Sequence, residues 1–122
     1  RLQYLEGVGF VMFEYLNCSD KQYVNPWTSH PNRYWNKNKN KFIGLYNAAV
    51  KLNATLFLVN YASKGTKHED KVLLIEVLKI NDKGITIQNT TKYTRNEFKK
   101  FFKQHLHQRF NNLIIRLIQL QI

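Results

Sequence analysis

The sequence predicts an α/β domain, in which a mixed sheet of about five strands packs against a central helix and a long C-terminal helix. The main observation is the stretch 38–62, where a helical pattern leads directly into an apolar strand. Further strand-like runs flank this stretch, and a helix start signal lies at Thr94–Glu97. At 122 residues the chain has the size of one domain, and we expect it to fold as one over 1–122.

The first predicted strand is Phe10–Leu16, which follows a turn or bulge at Gly7 and Gly9. Its apolar side chains fall on both faces, as is typical of a strand inside a sheet. Glu14 interrupts the pattern near the end of the strand. Residues 17–37 show no periodicity, so we expect a long loop, and unstructured loops of this length are usually functional.

The central helix is predicted from apolar residues at the spacing of one helical face, i, i+3, i+4 and i+7. These residues are Phe42, Leu45, Tyr46, Ala49 and Leu52. Asn53 is able to end the helix in a left-handed conformation. From Ala54 to Tyr61 the sequence is mostly apolar, so we expect a strand that is covered on both faces.

The second half of the chain is predicted to contain a hairpin and a helix. Lys71–Ile80 is a long strand, Asn81–Gly84 is a turn in which the glycine takes a positive φ, and Ile85–Gln88 is the returning strand. Thr94–Glu97 is a capping box, in which the two side chains satisfy free amides at the helix start. Segment 110–122 has little polar face, which favours a dimer contact, packing across the sheet or a join to another segment.

Charge is distributed unevenly along the chain. It has 19 Lys and Arg against 8 Asp and Glu, a net charge of +11. The segments Lys21–His68 and Lys83–Ile122 contain eight basic residues each, and Glu97 is the one acid in them. A solubilising surface usually mixes both signs, so this distribution favours binding of a polyanion.

The cysteine content and the hydropathy of the chain indicate its cellular location. Cys18 is the single cysteine, which excludes an internal disulfide and a four-cysteine zinc site and favours a reducing, intracellular location. No apolar run reaches the length of a membrane span and the first residues are not a signal peptide, so we expect no membrane partner. The chain begins at Arg1, in strand-like sequence, as is typical of a piece of a longer protein.

Glu14 is the first candidate for chemistry. A carboxylate in an apolar strand is costly unless it is paired, protonated or bound to a cation. One interpretation is a phosphodiesterase site that holds Mg²⁺. The other is an ion pair with a nearby Lys or Arg.

A strand, a loop, a helix and a strand in this order, with an acid on the first strand, resemble the core of the PD-(D/E)xK nuclease family over roughly residues 1–80. The resemblance implies a restriction-endonuclease-like fold and Mg²⁺-dependent cleavage of DNA. It assigns Glu14 as a catalytic and metal-binding carboxylate. Its companion in both roles is either Glu6 or an acid that precedes Arg1. The matching tripeptide is Glu14-Tyr15-Leu16, and its leucine stands where the family has a lysine. Either Lys21 replaces that lysine or the site is inactive.

Two groups of side chains are candidates for nucleic-acid binding. The first combines aromatic rings, which stack on unpaired bases, with cations that hold phosphates. Its members are Trp27, Arg33, Tyr34, Trp35, Lys37, Lys39 and Lys41. The second group, Arg95, Lys99 and Lys103, recurs every four residues along one edge of the C-terminal helix. The alternatives are that Trp27 and Trp35 cover the core and that the helix edge is an ordinary solvated face.

These observations together favour an intracellular nucleic-acid-binding domain that resembles a Mg²⁺-dependent endonuclease, with DNA preferred over RNA. A non-catalytic DNA- or RNA-binding module is one alternative. Another is a basic domain that binds an acidic protein surface. A homodimer through segment 110–122 is a further expectation.

Overall fold

A computed structural model describes residues 1–5, 7, 9–19 and 23–104. It contains five strands in one mixed sheet, namely β1 (Leu2–Leu5), β2 (Gly9–Asn17), β3 (Thr55–Tyr61), β4 (Lys71–Asn81) and β5 (Gly84–Thr94). Helix α1 spans Trp35–Lys51 and is preceded by a short 3-10 helix at Pro31–Tyr34. Residues 95–104 are helical and form α2. The predicted α/β class with a five-stranded mixed sheet is confirmed.

The strands lie in the sheet in the order β1-β2-β3-β4-β5. β2 and β3 are parallel, and each other neighbouring pair is antiparallel. A parallel pair needs a crossover connection, and α1 is the helix of that crossover. The carboxyl ends of β2 and β3 therefore lie side by side at one edge of the sheet.

Apolar side chains are buried on both faces of the sheet because residues along each strand alternate between them. On one face, Met12, Leu58 and Ile75 pack against Phe42 of α1. On the other face, Phe13 and Val59 belong to a second cluster, which the phenylalanines of α2 cover. β3 is buried along its central five positions, as its continuous apolar run predicts.

Three local predictions are confirmed by the backbone. Asn53 has φ 51° directly after α1, which is the left-handed conformation expected there. Thr94 and Glu97 form the capping box: the Glu97 amide donates to Thr94 Oγ1 at 3.2 Å, and the Thr94 amide donates to Glu97 Oε1 at 3.0 Å. Hydrogen bonds from the backbone and the side chain of Thr94 to the carboxylate hold the pKa of Glu97 below its usual range. Gly84 closes the hairpin with a positive φ.

Two element boundaries differ from the prediction. α1 begins at Trp35, inside the predicted loop. Lys37, Lys39 and Lys41 are therefore on the first two turns of a helix. β5 continues to Thr94 instead of ending at Gln88. The part of β5 beyond Gln88 is mostly polar and exposed. It therefore lacks the alternation of apolar and polar residues by which a strand is recognised.

The C-terminal segment bears on two other predictions. α2 is described for ten residues, and segment 110–122, with its predicted dimer contact, lies outside the described residues. Within the described ranges, no helix is both long and apolar enough to cross a lipid bilayer.

Candidate functional site

Ligands of open α/β sheets bind in the crevice outside the carboxyl ends of parallel strands. Here those ends are Asn17 of β2 and Tyr61 of β3, which are partners in the sheet register. The side-chain amide of Asn17 donates to Ser63 Oγ at 2.9 Å, and the backbone amide of Cys18 donates to the Tyr61 carbonyl at 2.7 Å. These two hydrogen bonds join the ends of β2 and β3 at this edge of the sheet.

A polar cavity of about 410 Å³ lies between this edge and the first turns of α1. We call it the strand-end pocket. Its wall is formed chiefly by Tyr15 and Asn17 of β2, Tyr34 of the 3-10 helix, and Lys37, Asn38 and Lys41 of α1. Lys37 and Lys41 are one helical turn apart, so they lie on the same face of α1.

Glu14 forms an ion pair with Lys41 beside the strand-end pocket. The Lys41 ammonium is 2.6 Å from Glu14 Oε1, and the two side chains are 48% and 25% exposed. Glu14 alternates with Met12 and Leu16 along β2, so its side chain is on the face that α1 covers. The cost of placing a carboxylate in this strand is therefore offset by the lysine, as the ion-pair interpretation predicts.

The same contact bears on the predicted Mg²⁺ site. An ammonium group at this distance competes with a metal ion for the carboxylate oxygen. No group of three or more His, Cys, Asp or Glu side chains able to hold a metal occurs among the described residues. Glu6 and Lys21, the predicted companions of Glu14, lie outside them. The described carboxylates around Glu14 do not by themselves fit Mg²⁺.

Lys37 also borders a second, shallow cavity of about 370 Å³. Arg33 and Lys83 of the β4–β5 turn border this second cavity too. Lys39 is on another side of α1, with its ammonium 4.0 Å from Asp82 Oδ1. The first turn of α1 contains no acidic residue, and no side chain caps its amides at Tyr34. The start of this helix is therefore an electropositive surface.

The tryptophans do not contribute to this surface. Trp35 is 3% exposed, its indole donates to the Asp82 carbonyl at 3.0 Å, and its ring stacks on Phe42. The prediction that Trp35 binds nucleic acid is corrected by this burial. Trp27 donates to the carbonyls of Val72 and Tyr93, so it fastens its loop to the sheet. Both tryptophans therefore cover the core, as the alternative interpretation predicts.

Tyr34 is half-buried and borders the strand-end pocket. Burial raises the pKa of Tyr34 above its ordinary value, with a smaller contribution from Cys18. Its hydroxyl therefore remains protonated at neutral pH, and it is able to donate a hydrogen bond to an anion.

The predicted cations of α2 have different surroundings. Arg95 donates from Nε to the Glu69 carbonyl at 2.8 Å and from Nη2 to the Ala62 carbonyl at 2.6 Å, so it fastens α2 to the loop after β3. Lys99 and Lys103 are exposed. Lys99 borders an apolar cavity of about 440 Å³ on the α2 face of the sheet.

This apolar cavity, which we call the tyrosine pocket, shares Tyr15 with the strand-end pocket. Lys37 and Lys41 thus approach the end of β2 from one face of the sheet, and Lys99 approaches it from the other. Lys64 and Lys67 are exposed in the loop that follows β3. Cations from both basic segments of the sequence therefore lie around one edge.

Sequence reasoning missed Tyr15, Asn17 and Tyr61 as site residues. A signal was present, because β2, α1 and β3 were predicted in that order. Residues at the carboxyl ends of two such strands are expected to face one crevice when the strands are parallel neighbours.

Comparison of the chain with protein-family models, with curated proteins and with solved structures gave no match. The site is therefore interpreted from its own residues.

Proposed function

We propose that this chain is a nucleic-acid-binding domain that holds a sugar–phosphate backbone at the strand-end pocket. The proposal is supported above all by one observation: Lys37 and Lys41 of α1 and Lys99 of α2 approach the same strand end. The carboxylate at this end, Glu14, is already paired with Lys41. A phosphate group entering the pocket meets a net positive charge.

The chemistry of the wall also suits a phosphate. Lysine ammonium groups bind phosphate as point charges, and amide and hydroxyl groups such as those of Asn17, Asn38 and Tyr34 supply neutral donors. None of these groups selects a particular base. We therefore expect binding that depends strongly on salt and weakly on sequence.

Salt dependence of DNA binding tests this proposal. Binding of a fluorescein-labelled DNA of mixed sequence is followed by anisotropy across a series of KCl concentrations. Lys37→Gln should weaken binding and lower the slope of log affinity against log salt by about 0.9 for duplex DNA, or about 0.7 for single strands.

The matched control is Lys51→Gln. It removes the same charge from an exposed lysine in the last turn of α1, at the other end of the helix from the strand-end pocket. Its slope should equal that of the unsubstituted protein. Equal losses in the two variants would show a response to net charge alone and would refute the site.

A metal-dependent endonuclease of the PD-(D/E)xK type is the second candidate. It is favoured by the position of Glu14 on an interior strand that leads through α1 to a parallel strand. This candidate needs a further carboxylate, and Glu6 is the expected one.

Nicking of supercoiled plasmid separates the two candidates. An endonuclease converts plasmid to the open circle in Mg²⁺ or Mn²⁺, and Glu14→Gln abolishes that activity. A binding module leaves the plasmid intact, and EDTA does not change its affinity for DNA.

A further inference from the structure

The tyrosine pocket is an apolar concavity on the α2 face of the sheet, bordered by described side chains. Its volume of about 440 Å³ falls within the range of small-molecule sites, about 300–1,000 Å³. Its wall consists mainly of the rings of Tyr15, Tyr61 and Phe98 with the side chains of Val59 and Val72, and Lys99 stands at the rim. Such a wall offers flat apolar surface next to a positive charge.

The two tyrosine rings are arranged edge to face. Their centroids are 6.4 Å apart with an angle of 80° between the planes, and Tyr15 remains 42% exposed. Burial raises the pKa of Tyr15, and the charge of Arg1 opposes this effect only in part. The Tyr15 hydroxyl therefore stays uncharged at neutral pH and does not repel a neighbouring phosphate.

We infer that the tyrosine pocket receives an unpaired nucleobase, so that the domain prefers single-stranded nucleic acid to duplex. This inference rests on the proposed function and extends it. A backbone phosphate held by Lys37 lies on one side of Tyr15, and the base of the same strand enters on the other side. Lys99 then meets the next phosphate.

Charge and shape favour this occupant. A nucleobase presents a flat face to an aromatic ring, and every base has such a face, so stacking requires no particular sequence. The bases of a duplex are stacked on one another, and their faces are not accessible to protein rings. Cations on both sides of an aromatic surface suit a ligand that alternates phosphates with bases.

Three probes test the inference with the full chain: a 20-nucleotide oligothymidylate, a matched duplex, and an oligomer of the same length that lacks its bases. We expect the oligothymidylate to bind more tightly than the abasic oligomer by about 5- to 150-fold, the range for loss of one stacked base. The duplex should bind more weakly than the oligothymidylate at the same salt concentration.

Variants of Tyr15 assign the preference to this pocket. Tyr15→Leu should lower affinity for the oligothymidylate to the level of the abasic oligomer, whereas Tyr15→Phe, which retains the ring, should not. Phe10→Leu is the matched control, because Phe10 is a 52% exposed aromatic residue of the same strand that borders neither pocket. Circular dichroism verifies that each variant is folded.

The possible failures are distinguishable. Equal binding of all three probes, with the loss in Lys37→Gln retained, would overturn the base pocket and leave the phosphate site standing. Salt-independent binding, or none, would overturn the proposed function and this inference with it. An equal effect of Tyr15→Leu and Phe10→Leu would also contradict the assignment.

Discussion

At the scale of single residues, Glu14 has two opposing interpretations, a ligand for a metal ion or a partner for a lysine. Its 2.6 Å contact with Lys41 favours the interpretation as a partner for a lysine. Ion pairs with partly exposed partners contribute only about 0–1 kcal/mol to stability. The main effect of Glu14 is therefore on the charge of the strand-end pocket, because it neutralises one of the lysines there.

Glu14→Gln should consequently strengthen DNA binding and steepen its salt dependence, because Lys41 becomes available to a phosphate. The free energy of unfolding, measured in urea, should change by no more than about 1 kcal/mol. Glu76→Gln is the same substitution on a strand residue that does not border the strand-end pocket, and it should change affinity less. Weaker binding by Glu14→Gln would contradict the ion-pair account and favour a metal-binding role.

At the scale of elements, the β4–β5 hairpin positions the start of α1. The register of the hairpin shifts between Val77 and Ile80, and beyond this irregularity Ile85 belongs to the apolar cluster that α1 covers. There the Asn32 side chain accepts from the Ile85 amide at 2.8 Å and donates to the Ile85 carbonyl at 3.1 Å. These contacts hold the 3-10 helix whose last residue, Tyr34, borders the strand-end pocket.

Gly84 is the position where this contact is most easily broken. It has φ 148°, and a β-carbon there would lie 2.5 Å from Asn32 Oδ1, which its bonds to Ile85 hold in place. Gly84→Ala should lower the free energy of unfolding by about 1–3 kcal/mol. Gly44→Ala, in the interior of α1 with open space around it, should raise it by about 0.5–1 kcal/mol. Urea titrations that gave the two variants the same sign would show that Asn32 does not constrain the hairpin.

At the scale of the whole molecule, periodicity was sufficient to predict the layers but not the site. The apolar pattern of β3 and the spacing of Phe42 and Ala49 identify the central strand and helix, because burial determines both patterns. The start of α1 was missed because residues 36–41 alternate Asn with Lys and have no apolar face, although Trp35 and Phe42 keep the helical spacing. The second half of β5 was missed for the same reason, because its residues are mostly polar.

Which lysines of the two basic segments lie near the end of β2 could not be predicted from sequence. It depends on which face of the sheet each helix covers and on which strands are parallel, and neither is encoded near the lysines themselves. The burial of Trp35 could not be decided either, because an aromatic residue among lysines is equally typical of an interface and of a core beneath one. The structure separates these cases by the indole hydrogen bond to Asp82.

The most direct test of the central claim is whether the cations of α1 and α2 hold the same short strand. The affinity of an oligothymidylate of about six nucleotides is measured against salt for Lys37→Gln, Lys99→Gln and the double variant. Each substitution should lower the log–log slope by about 0.7, and the double variant by about twice as much. If one substitution left the slope for this short strand unchanged, the two lysines would not share a ligand, and the single site at the end of β2 would be contradicted.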